Sequence, residues 1–283
     1  KNIALGNYAL DALTSGDSNI GIGYNALTAN TTGIKNSAVG ENTLATNTTG
    51  SGNVSVGHNA LYSNTTANDN VALGKDSLYT NETGANNTAV GKDAMYNNTA
   101  SDNTAVGKGA LQANTTGTRN LAIGTNALDA ATTVNDNTAI GHDALTANTS
   151  GFKNTAVGSG AGEGNTEGDN LVAVGFNAAE NNTTADDNTA IGSQALFTNT
   201  TGAKNTAVGM SALYNNTAGE NIAVGVNAMA SNTTGTRNIA IGVDAYDASD
   251  TENDNVAIGY DAMTTNTAGG SSNVAIGNYA LDA

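Results

Sequence analysis

Side-chain catalysis needs a nucleophile, a base or a ligand set that converges from non-equivalent places in a chain. The residues that could serve are two histidines, His58 and His142, and 25 Asp and Glu. Each histidine directly follows a glycine that recurs along the chain, and Phe176, Tyr24 and Tyr260 stand at the equivalent places. Both are read as exposed spacers. The carboxylates each sit on their own repeat. No His pair has metal-ligand spacing, and there is no phosphate loop or nucleophile elbow. The G-G-x-G-x-D repeat of calcium-built rolls is absent too, which leaves turn acids such as Asp186 and Asp187 to hold a cation only singly. No enzyme, catalytic residue, cofactor or metal site is expected.

Binding chemistry is a different matter, because some side chains recur in register. The residues before the opening Asn of successive repeats read Asp102, Arg119, Asp136, Lys153, Asp169, Asp187, Lys204, Glu220, Arg237 and Asp254. The sign alternates except at Asp169 and Asp187, so stacking the repeats gives a charge ladder, with Arg119 in salt-bridge reach of Asp102 or Asp136. Tyr62, Tyr79 and Tyr96 share one repeat position, as do Phe197 and Tyr214. Such an aromatic stripe suits a surface glycan, a protein receptor or burial against another chain. Thr pairs such as Thr31-Thr32 and Thr48-Thr49 would also form ladders, interrupted at Glu82, Ala100, Glu167, Asp250 and Ala268. The Asn-Thr-Thr segments match the N-glycosylation sequon.

What must position these residues is a repeat. Asn-x-small-aliphatic-Gly returns along the whole chain, with anchors that include Gly40, Gly91, Gly158 and Gly209 and a usual spacing of 17 residues. The consensus coil is N-x-A-(V/I)-G-x-x-A-L-x-x-N-T-T-G-x-x, its residues numbered here as positions 1 to 17. A longer period lies above it, since Gly6, Gly124 and Gly242 are 118 residues apart, or seven coils. An extra residue enters near Gly269 and Gly270. Seventeen residues are too few for a strand plus a helix, and no 3.6 period is present. The expected fold is all-β: a single repetitive parallel β-solenoid over 1–283, with about seventeen coils and a length of roughly 80 Å at 4.8 Å per coil. Two short strands per coil are expected, one through N-x-A-V-G and one through A-L-x-x-N-T. The position 4 aliphatics (Val39, Val90, Ile123) and the position 9 leucines (Leu27, Leu61, Leu111) are expected to point inward. Asn36, Asn87, Asn154 and Asn205 would form a stacked amide spine. Strand alternation then sends position 3 outward, and its row of small residues, including Ala89, Ala105 and Ala122, is expected to be an interface with another chain.

Composition narrows the partners. Trp, Pro and Cys are absent, aromatics are 4% and the net charge is -16. Nucleic acid and anionic membrane surfaces call for clustered cations, so neither is expected as a partner. No apolar run is long enough to insert in a membrane as a helix. Absence of Cys is compatible with an exported protein. The chain starts at Lys1 and stops partway through a repeat, and is expected to belong to a longer chain or fibre.

The segments Asn36-Ser37-Ala38-Val39-Gly40, Asn87-Thr88-Ala89-Val90-Gly91 and Asn154-Thr155-Ala156-Val157-Gly158 resemble the head repeats of trimeric autotransporter adhesins and the related repeats of phage tail fibres. The resemblance covers essentially the whole chain. It implies a left-handed parallel β-roll, assembled as a homotrimer on a bacterial surface or virion. The coil departs from the shorter adhesin repeat, with T-T-G as the extension. An extracellular structural or adhesive fibre that associates with itself is therefore the expected function. The alternative is an ice- or carbohydrate-binding solenoid using the Thr/Asn or Tyr ladder.

Overall fold

The computed structural model describes residues 1–248, 251–264 and 270–282. The expected features at Asp250, Ala268 and Gly269 lie outside the described residues. Contacts divide the chain into two compact units, Lys1–Asn137 and Thr138–Ala283. All strands are three residues long. The first unit holds β1 (Ile3–Leu5), β2 (Ile20–Ile22), β3 (Ser37–Val39), β4 (Val54–Val56), β5 (Val71–Leu73), β6 (Thr88–Val90), β7 (Thr104–Val106) and β8 (Leu121–Ile123). The second holds β9 (Thr138–Ile140), β10 (Thr155–Val157), β11 (Val172–Val174), β12 (Thr189–Ile191), β13 (Thr206–Val208), β14 (Ile222–Val224), β15 (Ile239–Ile241), β16 (Val256–Ile258) and β17 (Val274–Ile276). Within each unit every strand pairs in parallel with the next, and like positions face like: Ala72 with Ala89, Ala89 with Ala105, Ala223 with Ala240. The expected parallel β-solenoid is the observed fold, and coil n is named here for its strand βn.

The expected second strand is not formed. In coils 1 to 15 positions 6 to 11 turn, and positions 7 and 9 take the left-handed backbone, as at Asn25 (φ 56°) and Leu27 (φ 55°) or Asp93 (φ 59°) and Met95 (φ 52°). Asn and Asp accept that region readily. Leucine does so at a cost of about 1–2 kcal/mol, offset by burial of its whole side chain, worth about 1.5–3 kcal/mol. The corner drives positions 8 and 9 inward together: Ala26 and Leu27, Ala60 and Leu61, Ala110 and Leu111 are all buried. Two consecutive inward side chains cannot arise from a strand, in which neighbours alternate.

The orientation of the first strand is the reverse of expectation. Ala89, Ala105 and Ala122 are 0% exposed within the chain itself, so this row is core and not an interface. Val56 and Ile241, at position 4, are 41% and 40% exposed. The roll is so thin that two layers of backbone leave room only for a methyl opposite the position 8 and 9 side chains, which is why position 3 is small. Where it is Ser55, the hydroxyl donates to the Ala60 carbonyl (2.9 Å) and accepts from the Thr43 hydroxyl (2.6 Å), so both polar groups are satisfied inside.

Candidate functional site

Two Asn rows complete the core and hold one coil to the next. Asn36 at position 1 donates its amide nitrogen to the Gly50 carbonyl (2.8 Å), and its side-chain oxygen accepts the Asn53 backbone N–H (3.0 Å). Asn87 donates to the Ala100 carbonyl (2.8 Å) and accepts from the Asn103 N–H (3.0 Å). Asn154 donates to Gly168 (2.8 Å) and accepts from the Leu171 N–H (2.8 Å), and Asn205 donates to Ala218 (2.8 Å) and accepts from the Asn221 N–H (3.0 Å). Each therefore bridges to the following coil. At position 12, Asn47 donates both to Asn30 Oδ1 (2.9 Å) and to the Gly50 carbonyl (3.0 Å), tying the T-T-G turn shut. These amides leave the sequons nothing to carry a glycan, because Asn30, Asn47 and Asn114 are buried with their nitrogens committed to backbone carbonyls. The first Thr of each pair is also structural: the hydroxyl of Thr31 donates to the Thr48 carbonyl (3.0 Å), and that of Thr115 to the Thr132 carbonyl (2.9 Å).

The anchor glycines stack in register with Gly40 and Gly158 at φ 138° and Gly91 and Gly209 at φ 134°. A Cβ on Gly40 would lie 2.6 Å from the Gly57 carbonyl oxygen, so backbone conformation and coil spacing both exclude a side chain.

The charge ladder closes at its arginines. Arg119 grips Asp136 with two bonds, Nε to Oδ1 at 2.6 Å and the terminal nitrogen to Oδ2 at 2.9 Å. Arg237 repeats this on Asp254 at 2.6 and 3.0 Å. These bonds raise both guanidinium pKa values and lower that of Asp254. Asp102 adds an attraction to Arg119 from the opposite side. Lys153 stands exposed on the same row. The irregularity at Asp169 also has a structural cause. Leu171 fills the Asn place in the core, and Asn170 takes the left-handed ladder position (φ 56°) and donates to Asp187 Oδ1 (3.1 Å). The row thus reads Lys153, Asn170, Asp187, Lys204, with no like-charged neighbours.

The aromatic row forms as stacked rings. Tyr62 and Tyr79 lie 5.3 Å apart and Tyr79 and Tyr96 5.0 Å, with their ring planes nearly parallel, and Phe197 and Tyr214 repeat the arrangement at 5.0 Å. Desolvation in the stack, then Tyr96, Tyr62 and Asp76, raise the Tyr79 phenol pKa. The two histidines meet single acids, His58 at 3.9 Å from Asp76 and His142 at 2.8 Å from Asp143. Among the described residues, no three His, Cys, Asp or Glu gather as a metal-binding group, and no helix is long and apolar enough to cross a membrane.

Sequence reasoning missed one surface feature that recurs on every strand. Positions 2 and 4 both face solvent, so every strand shows two outward side chains, and the position 4 row is Val, Ile or Leu throughout β1 to β17. In the second unit Ile191, Ile222, Val224 and Ile241 are all exposed. The signal was present: a thin roll needs its small residues inside, and the position 3 row is smaller than the position 4 row. No protein-family model matches this chain, and no curated protein matches it.

Proposed function

We propose that the chain is a structural and adhesive fibre module that works outside a cell, on a cell or virion surface, and that copies of it associate through the outward sheet face. One observation supports this above the others: the uncovered aliphatic row at position 4, with Ile and Val beside it at position 2 in coils 14 to 16. In the second unit, nine strands about 4.8 Å apart and three residues wide make a face of roughly 400 Å², within the range of the largest patches that monomers leave in water, which are often functional. A second copy of the chain is the fitting occupant, because only a surface with the same coil spacing can seat side chains into these rows along their whole length. The face carries no charge at positions 2 and 4, so the overall charge of -16 does not oppose close approach there. The resemblance to trimeric adhesin heads and phage fibre repeats supports the same role.

Sedimentation velocity tests it. The wild-type chain is expected to sediment as an oligomer at micromolar concentration, and Val224→Lys/Ile241→Lys/Ile258→Lys to sediment as a monomer that keeps the β-sheet circular dichroism of the wild type. A monomeric wild type would overturn the proposal.

A further inference from the structure

We infer that the corner of coils 4 to 7 is a docking strip for a linear acidic polysaccharide. Lys75, Lys92 and Lys108 stand at position 6 of three consecutive coils, so three of the nine Lys and Arg in an acidic chain share one row. The fold does not require them there. Thr125 holds the same position in coil 8, and Ser193, Met210 and Val226 hold it seven coils further on. Like charges stacked at the strand spacing of about 4.8 Å work against folding, so the row has a use beyond it.

The local geometry keeps the ammonium groups outermost. Lys75 Nζ lies 3.6 Å from Asp76 and Lys92 Nζ 3.1 Å from Asp93, with the acids' side chains 16% and 21% exposed and the lysines' 57% and 54%. Lys108 is followed by Gly109, so its coil has no acid at that place. Asp76, which touches Lys75, and Tyr79 belong to the same corner turn of coil 5, and Lys92 and Tyr96 share the turn of coil 6, so the Tyr stack runs along the same corner as the cations. The rings stack on one another at 5.0 to 5.3 Å, and all three side chains are half-buried.

This geometry selects the ligand chemistry. Single-stranded nucleic acid binds by laying successive bases on open ring faces, and the stack closes all of its faces but the two at its ends. A duplex presents one charge per about 1.7 Å, far denser than three cations on a chain of this net charge can meet. A polymer of sugar acids offers sparse anions for the lysines and hydroxyls for a row of phenol rims. The apolar rows of the second unit proposed for self-association contain none of these residues, so the strip stands or falls independently of it.

Titration of the intact chain with polygalacturonate, neutral dextran and a single-stranded DNA oligomer tests the inference. The wild type is expected to bind polygalacturonate and not dextran, with binding weakened by salt. Lys75→Thr/Lys92→Thr/Lys108→Thr, which installs the residue coil 8 already carries, should lose at least about tenfold in affinity. Tyr62→Thr/Tyr79→Thr/Tyr96→Thr should lose about threefold or more, and Lys108→Thr alone gives a smaller loss if either triple variant fails to fold. A wild type that ignores polygalacturonate, a lysine variant that binds as wild type, or DNA bound as tightly as the polysaccharide would overturn it.

Discussion

Coils 5 to 7 and coils 14 to 16 share one backbone and differ in what they show to solvent. Inside, both carry Ala at position 3 (Ala72, Ala89 and Ala105 against Ala223, Ala240 and Ala257), and all six are buried. Outside, the first set shows Val71-Leu73-Lys75, Thr88-Val90-Lys92 and Thr104-Val106-Lys108. The second shows Ile222-Val224-Val226, Ile239-Ile241-Val243 and Val256-Ile258-Tyr260. The inward residues therefore specify the coil, and the outward ones are free to make one stretch cationic and another apolar. A periodic scaffold separates folding from surface chemistry in this way because each coil contacts only its neighbours.

The sharpest way to break the comparison is to exchange the roles of the two rows. Ala89→Gln/Ala105→Gln/Ala122→Gln should abolish cooperative melting of the first unit, since each change overpacks the roll and buries an amide, at roughly 3 kcal/mol or more apiece. Val90→Gln/Val106→Gln/Ile123→Gln, one residue along, should stay within about 1 kcal/mol of wild type in stability. Equal effects in circular dichroism melts would mean that the inward and outward assignments are wrong.

A smaller effect is expected at the amide spine. Asn87→Asp replaces the donor to the Ala100 carbonyl with a buried carboxylate, and should cost about 3–5 kcal/mol, more as pH rises and the acid is forced to ionise. Asn87→Leu should cost only about 1–3 kcal/mol, because Leu171 already occupies this place in coil 11. Denaturant titrations of the two variants should rank them in that order, and a milder Asp than Leu would refute the bridging role.

The smallest effect belongs to the exposed ladder. Asp254 has its pKa lowered by the hydrogen bond from Arg237, so its contribution is fully present above the unfolded value of about 3.9 and is lost as pH falls through the folded value. Asp254→Asn should therefore lower the melting temperature slightly at pH 7, not at all in strong acid, and not in molar salt. A loss that survives salt would assign Asp254 a structural role like that of the inward residues.

Much of this was legible in the residues. The anchor glycines and opening asparagines fix the coil length, and the sign alternation at Asp102, Arg119 and Asp136 anticipates the pair that closes at 2.6 Å. The inversion of the strand was not read, because a rule that puts the larger apolar residue inside assumes a core thick enough to hold it. Position 9 supplies that bulk instead: Leu78, Met95 and Leu111 fill the roll and leave only a methyl's room at Ala72, Ala89 and Ala105. The corner was misread as a strand because Leu is a poor signal for a left-handed backbone. Asn25, Asn42 and Asn59, two residues earlier in each coil and all at positive φ, were the better one.

The coil-to-coil bridge of Asn36 and its equivalents has a mechanical consequence. The bonds that join neighbouring coils run along the stacking direction, and the junctions within a unit repeat the same set except after coil 11, where Leu171 stands in the Asn place. Tension applied to a chain terminus therefore loads one junction at a time and peels the end coil before the next is touched. Each rupture releases about seventeen residues, or up to about 60 Å of slack, and meets much the same resistance as the one before, with a weaker step where Leu171 replaces the bridging Asn. Extension should proceed as a level series of short steps, which lets a fibre under shear yield by single turns and rewind when the load is removed.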